Sequence, residues 1–142
     1  MASPAPRPDP SSDPLRQHLA EVRRGLFRLH KSLIDAERAA FERERGPQTN
    51  AQFLQALIHD DYFAWLRPFT GLIVEMDETL APREPLEPAV VRGLVARAAT
   101  MVEPEEAEHA RRYERACTVD PEVLLGHLEL SQEIRSAREA LG

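Results

Sequence analysis

The densest group of side chains able to do chemistry is Asp60-Asp61-Tyr62-Phe63-Ala64-Trp65-Leu66-Arg67-Pro68-Phe69, where four of the eight aromatic residues fall within eight positions. Trp, Tyr and Arg dominate binding hot spots, because each joins a large apolar surface to a polar tip. Tyr62, Trp65, Arg67 and Phe69 are therefore the candidate residues for holding a ligand or a partner chain. The plainer reading of the same segment is a layer of core around a kinked helix, with Arg67 reaching solvent or pairing with a nearby acid. Pro68 keeps the binding reading in play. It removes the hydrogen bond that residue 68 would donate to the Ala64 carbonyl, and that carbonyl must find another partner.

The other reactive side chains form no catalytic or metal-binding set. Carboxylate-bridged di-metal bundles need two Glu-x-x-His pairs and two further Glu, and only Glu106-Ala107-Glu108-His109 has that spacing. His18, His30, His59 and His127 have no Glu three residues before them. Acids at a helix start favour its dipole, which accounts for Glu106 without a metal. His127 lies on an apolar stripe and His30 beside one, positions suited to a hydrogen-bonded core or boundary histidine. Cys117 has Arg111, Arg112 and Arg115 nearby, and cations lower a thiol pKa, but its place after a thin Ala-rich face reads as a small buried or boundary residue. Asp60 and Asp61 point apart, as neighbours do, and are explained by capping. With no Gly-rich phosphate loop, nucleophile elbow or zinc-type cysteine pair, the expectation is no catalytic residue, no metal and no cofactor.

The elements that position these residues are helical. Asp13-Pro14 is a start signal, with Asp as N-cap and Pro where its missing N–H costs nothing. Leu15, Leu19, Val22, Leu26, Leu29, Leu33, Ala36 and Ala40 then alternate four and three apart, a heptad seam. Phe27, Ile34 and Phe41 add a second apolar row. Gly25 is a weak helix former, costing roughly 1 kcal/mol relative to Ala. Gly46-Pro47 ends this helix after about 32 residues, or roughly 48 Å. Thr49 and Gln52 form a capping box for a short helix burying Phe53, Leu54, Leu57 and Ile58. Asp60-Asp61 opens a third helix running from Tyr62 to about Leu80, with Trp65, Phe69, Leu72, Met76 and Leu80 as its stripe and a kink at Pro68. After the linker with Pro82, Pro85 and Pro88, a fourth helix carries Val90, Val91, Leu94, Val95, Ala98, Met101 and Val102. Glu103-Pro104 stops it and starts a fifth, with a thin face of Ala107, Ala110, Tyr113 and Ala116. Asp120-Pro121 starts the last, whose Val123, His127, Leu130, Ile134, Ala137 and Leu141 again run four and three apart. No convincing period-2 strand appears.

The stretches LHKSLIDAERAAFERERGP, DDYFAWLRPFTGLIVEMDE and ARRYERACTVDPEVLLGH resemble a group of bacterial all-helical proteins from high-GC genomes, over most of residues 29–127. This chain has Asp61-Tyr62-Phe63 where that group has an Asp-Pro-Trp-like entry to the aromatic helix. The resemblance implies an all-helical fold and a bacterial origin. It implies no activity and no site residues.

Composition bounds the rest. The 142 residues, 42% apolar and 30% charged, suit one domain. Residues 1–12, with Pro at every second position from 4 to 10, read as a disordered Pro-rich tail, and residues 13–142 as a single helical bundle. A net charge of −6 opposes phosphate binding. Residues 49–66 lack the turn glycine and basic face of a helix-turn-helix. No nucleic-acid partner is expected. No apolar run is long enough to span a bilayer, no signal peptide is evident, and a single cysteine suits a reducing compartment. The expected protein is therefore cytoplasmic, without a membrane partner. The sequence predicts an all-α antiparallel helical bundle of about five to six helices, one kinked at Pro68. Its expected role is that of a non-catalytic helical interaction or regulatory protein, binding a partner chain or itself as a homodimer. The alternative is a small-ligand-binding module with a pocket near Trp65, Arg67 and Phe69.

Overall fold

The computed structural model describes residues 13–142, so the Pro-rich tail expected over residues 1–12 lies outside the described residues. The chain forms six α-helices: α1 (Pro14–Arg45), α2 (Asn50–His59), α3 (Arg67–Leu80), α4 (Pro88–Val102), α5 (Ala107–Val119) and α6 (Pro121–Leu141). A 3₁₀ segment, Asp61–Leu66, joins α2 to α3. No strand occurs among the described residues, and no helix there is long and apolar enough to cross a membrane.

The start signals work as capping chemistry predicts. Asp13 accepts from the Leu15 N–H at 3.0 Å, with Pro14 in the first turn. Thr49 and Gln52 make the reciprocal capping box, at 3.1 and 2.9 Å. Asp120 accepts from the Glu122 N–H at 2.9 Å. At the other end of α1, Gly46 adopts φ 87°, which only glycine reaches without strain. The start of α5 differs from the Glu103-Pro104 reading. Its cap is Glu106, whose two carboxylate oxygens accept from the N–H groups of Glu108 and His109 at 3.0 Å each.

The heptad seam of α1 is the axis of the core. Leu19, Val22, Leu26, Leu29 and Leu33 are wholly buried, each stabilising the fold by roughly 1.5–3 kcal/mol. Antiparallel α6 covers one flank of the seam and antiparallel α3 the other. On the α6 side, glycines let the backbones approach. Gly126 of α6 faces Leu29, where an added Cβ would sit 3.4 Å from the Leu29 Cα. Gly25 of α1 faces Leu130 and Glu133, and the Glu133 carboxyl lies in the space a Cβ at position 25 would take. On the α3 side, Arg23 pairs with Asp77 at 2.8 Å, and Arg16 donates to the carbonyls of Leu80, Pro82 and Glu84. Arg16 thereby ties the C-terminus of α3 and the proline-rich linker to α1.

Two apolar groups are less covered than their patterns predict. In the second row of α1, Phe41 is buried and Ile34 partly so, but Phe27 is 49% exposed. In α2 only Phe53 is buried; Leu54 and Ile58 are 54% and 51% exposed. The cause is position. The helix pattern marks one apolar face, and α2 packs chiefly on the 3₁₀ segment, which covers only the Phe53 side.

Two measurements test this packing. Gly126→Leu should cost about 1–3 kcal/mol in urea unfolding, because the added branch meets the Leu29 backbone, whereas Gly93→Ala, with open space around it, should gain up to about 1 kcal/mol. Burial pushes the Glu133 carboxyl up to about 7; Glu21 and Glu129 act in the same direction, and Arg24 and Arg28 oppose it. Unfolded, this group titrates near about 4.3. Between those values the folded chain holds the extra proton, so this contribution is complete below the unfolded pKa and disappears as pH rises through about 7. Comparing unfolding at about pH 5 and about pH 8, Glu133→Gln should lose less stability on going up in pH than the parent chain. Equal slopes would refute this assignment.

Candidate functional site

The aromatic segment owes its geometry to its helix type. Asp60 accepts from the Tyr62 N–H at 2.9 Å and from Arg45 at 2.8 Å, which starts the 3₁₀ turn and holds the Asp60 carboxyl below its usual range, the Tyr62 bond being the larger cause. A 3₁₀ helix has three residues per turn, so side chains three apart eclipse. Tyr62 and Trp65 therefore share one face, and Phe63 and Leu66 another. The irregularity expected at Pro68 takes the form of a change in helix type: the 3₁₀ segment ends at Leu66, and Pro68 occupies the first turn of α3. The Ala64 carbonyl left without a partner by Pro68 accepts instead from the Arg67 N–H.

The four candidate residues do not converge on one pocket. Tyr62 and Trp65 flank Arg112 of α5, whose guanidinium lies 4.1 Å from the Tyr62 ring centroid and 5.5 Å from that of Trp65. Arg112 also pairs with Glu37 of α1 at 2.8 Å, and Glu37 is 7% exposed. Trp65 is buried, its indole N–H has no hydrogen-bond partner among the described residues, and the His109 ring lies 6.1 Å away. Burial, with the Glu37 charge, raises the Tyr62 pKa. Arg67 is half-buried, and its hydrogen bonds go to the main chain rather than to an acid side chain. It donates to the main-chain carbonyls of Leu57 and Asp60, at 3.0 and 2.7 Å, closing the C-terminus of α2. Phe69 is a core residue, 2% exposed and stacked on His30 at 5.7 Å.

Several of the remaining reactive groups have structural partners, and none among the described residues gathers into a site. Among the described residues no three His, Cys, Asp or Glu gather as a metal set. His109 pairs with its own cap, Glu106, at 3.3 Å. The His127 Nδ1 lies 2.7 Å from the Tyr113 hydroxyl, and burial lowers the His30 pKa, favouring its neutral form. Burial and the neighbouring Glu114 raise the Cys117 pKa, the opposite of an activated thiol.

A concave surface lies elsewhere. Between α1, α2 and α3 runs an open groove of about 450 Å³, lined by Ile34, Leu54, Leu57, Ile58, Phe63 and Gly71 among others, with His30, Arg67 and Thr70 as its polar members. Arg67 is the one candidate residue lining it. Sequence reasoning missed this groove, because exposure of Leu54 and Ile58 depends on which neighbour covers α2. The Glu37–Arg112 pair was also missed, although Glu37 left a signal: it stands four residues after Leu33 and four before Phe41, an acid on a buried row.

No family model, curated protein or solved structure matches the chain.

The buried pair gives a direct test. Arg112→Met should cost about 3 kcal/mol in urea unfolding by stranding the Glu37 charge, and adding Glu37→Gln should recover much of that loss. A double variant no more stable than Arg112→Met would show that the pair contributes chiefly through packing.

Proposed function

We propose that this chain is a non-catalytic helical interaction protein whose recognition surface is the apolar groove between α1, α2 and α3, taking a helix from another polypeptide chain. The single observation behind this reading is the state of α2. Leu54 and Ile58, one helical turn apart and each more than half exposed, form a ridge beside an almost wholly apolar channel. Phe27 lies one turn from His30 and two turns from Ile34 along α1, and Val74, 47% exposed, lies one turn beyond Thr70 on α3, so both prolong the apolar surface past the channel. Contiguous apolar surface rimmed by polar residues marks interaction sites, and helix-in-groove binding uses apolar anchors at this spacing. The reading also places the protein in a bacterial cytoplasm, on the sequence resemblance and the lone cysteine. The net charge of −6 supports a protein partner over a nucleic acid.

A second reading draws on the volume of the groove. About 450 Å³ lies within the range of small-molecule sites, so a small apolar or aromatic ligand is the alternative occupant. Of Tyr62, Trp65, Arg67 and Phe69, only Arg67 lines the groove, and its guanidinium is directed at the carbonyls that close α2.

Selection from a displayed library of helical peptides separates the two. The expected outcome is enrichment of amphipathic peptides whose binding perturbs the amide resonances of Leu54, Ile58 and Gly71, and is lost in Leu54→Glu/Ile58→Glu with the fold retained. Saturation of those same resonances by small apolar compounds, with no peptide enriched, would overturn the interaction reading in favour of the second.

A further inference from the structure

Midway along the contact between α1 and α6, an acid side chain is enclosed without a partner. Glu133 of α6 is half-buried, and its Oε2 is shut off from solvent with no hydrogen bond among the described residues. That oxygen fills the space a side chain at position 25 would take. The Glu133 carboxyl carbon lies 3.1 Å, and the Leu130 Cδ1 3.3 Å, from the point where a Cβ on Gly25 would stand. Gly25 thus gives up some helix propensity and opens a niche for one carboxyl group between the two helices.

A carboxylate oxygen enclosed without a donor loses its hydration and gains nothing in return. A group so placed either keeps its proton or leaves. The charges around the niche come from the two helices that form it: Glu21, Arg24 and Arg28 of α1, and Glu129 of α6. Arg28 already pairs with Glu129 and lies 3.9 Å from Glu122. Arg24, next to Gly25 in the chain, is exposed and has no ion pair among the described residues. Of the other helices packed on α6, α4 turns Arg92 to the Leu141 carbonyl and Arg97 to Glu75, and α5 meets α6 through Tyr113 at His127. His18, two turns before Gly25 on the same face of α1, is the other titratable group of this flank, and its Nδ1 is likewise enclosed without a partner among the described residues.

We infer that Glu133 and Gly25 form a proton-operated latch between α1 and α6. With its proton, the carboxyl rests in the niche and completes the packing of the two helices; without it, the side chain swings out to Arg24 and leaves the niche open. Burial carries the transition up to about 7, so neutral pH divides the two states. The unfolded chain is ionised at this position throughout that range, so from about pH 6 to about pH 8 the ratio of folded to unfolded chain should fall about tenfold. The latch lies on the flank of α1 opposite the groove, and its test is independent of what the groove binds.

Nuclear magnetic resonance of the full chain reads the latch directly. The Glu133 carboxyl carbon should titrate at about 7. Contacts between its γ-protons and the Gly25 α-protons, present at about pH 5.5, should vanish at about pH 8.5. In Gly25→Ala the methyl group takes the niche, so Glu133 should return to the ordinary carboxylate range near about 4.3. Glu133→Gln should stay against Gly25 at both pH values and remove most of the tenfold change, any remainder belonging to His18. A Glu133 that titrates in the ordinary range in the parent chain, or one that titrates higher yet keeps its Gly25 contacts in alkali, overturns the latch. So does a Gly25→Ala chain in which Glu133 still titrates at neutral pH. If Gly25→Ala does not fold, the parent contacts at the two pH values decide alone.

Discussion

Hiding the leucine row of α1 is the constraint on which the rest of the structure depends. That one helix packs against α3, α4, α5, α6 and the 3₁₀ segment, so it supplies a common wall to nearly every other element. A helix 32 residues long cannot be covered by one partner of half its length. The two flanks are therefore shared out: α6 takes the side notched by Gly25 and Gly126, and α3 takes the side of Arg16, Arg23 and His30. What remains for α2 is the outside of the 3₁₀ segment. Its exposed leucine and isoleucine follow from that arrangement, since the apolar face of a short helix can be covered only where an earlier contact has left a neighbour.

Arginine does a second job in this bundle that its charge alone does not suggest. Helix ends leave carbonyls without partners, and a planar guanidinium can meet several at once. Arg16 serves the end of α3 and the linker after it, Arg38 donates to the Gln48 carbonyl at 2.9 Å, Arg67 serves the end of α2, and Arg92 donates to the Leu141 carbonyl at 3.1 Å. Although the chain is acidic overall, α1 carries 8 Lys+Arg against 5 Asp+Glu, and that basic charge is partly consumed in holding other elements by their main chain. That is a physical reason why a basic stretch in this chain does not read as a nucleic-acid surface.

Much of the fold was legible because capping and periodicity are local. Asp13, Thr49 with Gln52, Asp60 and Asp120 announce helix starts through hydrogen bonds made within three residues, and the α1 leucines announce a buried face through spacing alone. What was not legible depends on partners distant in the chain. Gly126 looks like a defect until Leu29 is seen against it. Glu37 looks like a solvated acid until Arg112, 75 residues away, is brought to it. Of the candidate residues, Phe69 was legible as core and Arg67 was not legible as a clamp on α2. Trp65 and Phe69 were grouped on one stripe by assuming α-helical spacing through a segment that winds three residues to the turn.

The tighter winding links the two parts of the molecule that carry its functional interest. With Tyr62 and Trp65 eclipsed on one side, the 3₁₀ segment receives Arg112 and so seats α5, a helix whose only buried residues are Tyr113 and Ala116. So thin an apolar face leaves the position of α5 poorly determined by packing. The Glu37–Arg112 pair is costly to desolvate and adds little net stability compared with apolar residues of like volume, but it has one geometry, and it determines where α5 sits. With Phe63 and Leu66 eclipsed on the other side, the same six residues form part of the groove wall, and Phe63 packs on Phe41 and Phe53 at 5.1 and 5.5 Å. An α-helix through these positions would rotate successive side chains by about 100° each and distribute them around its circumference. Three residues per turn divide them into one face that receives α5 and a second, more deeply buried face that packs on Phe41 and Phe53 and lines the groove.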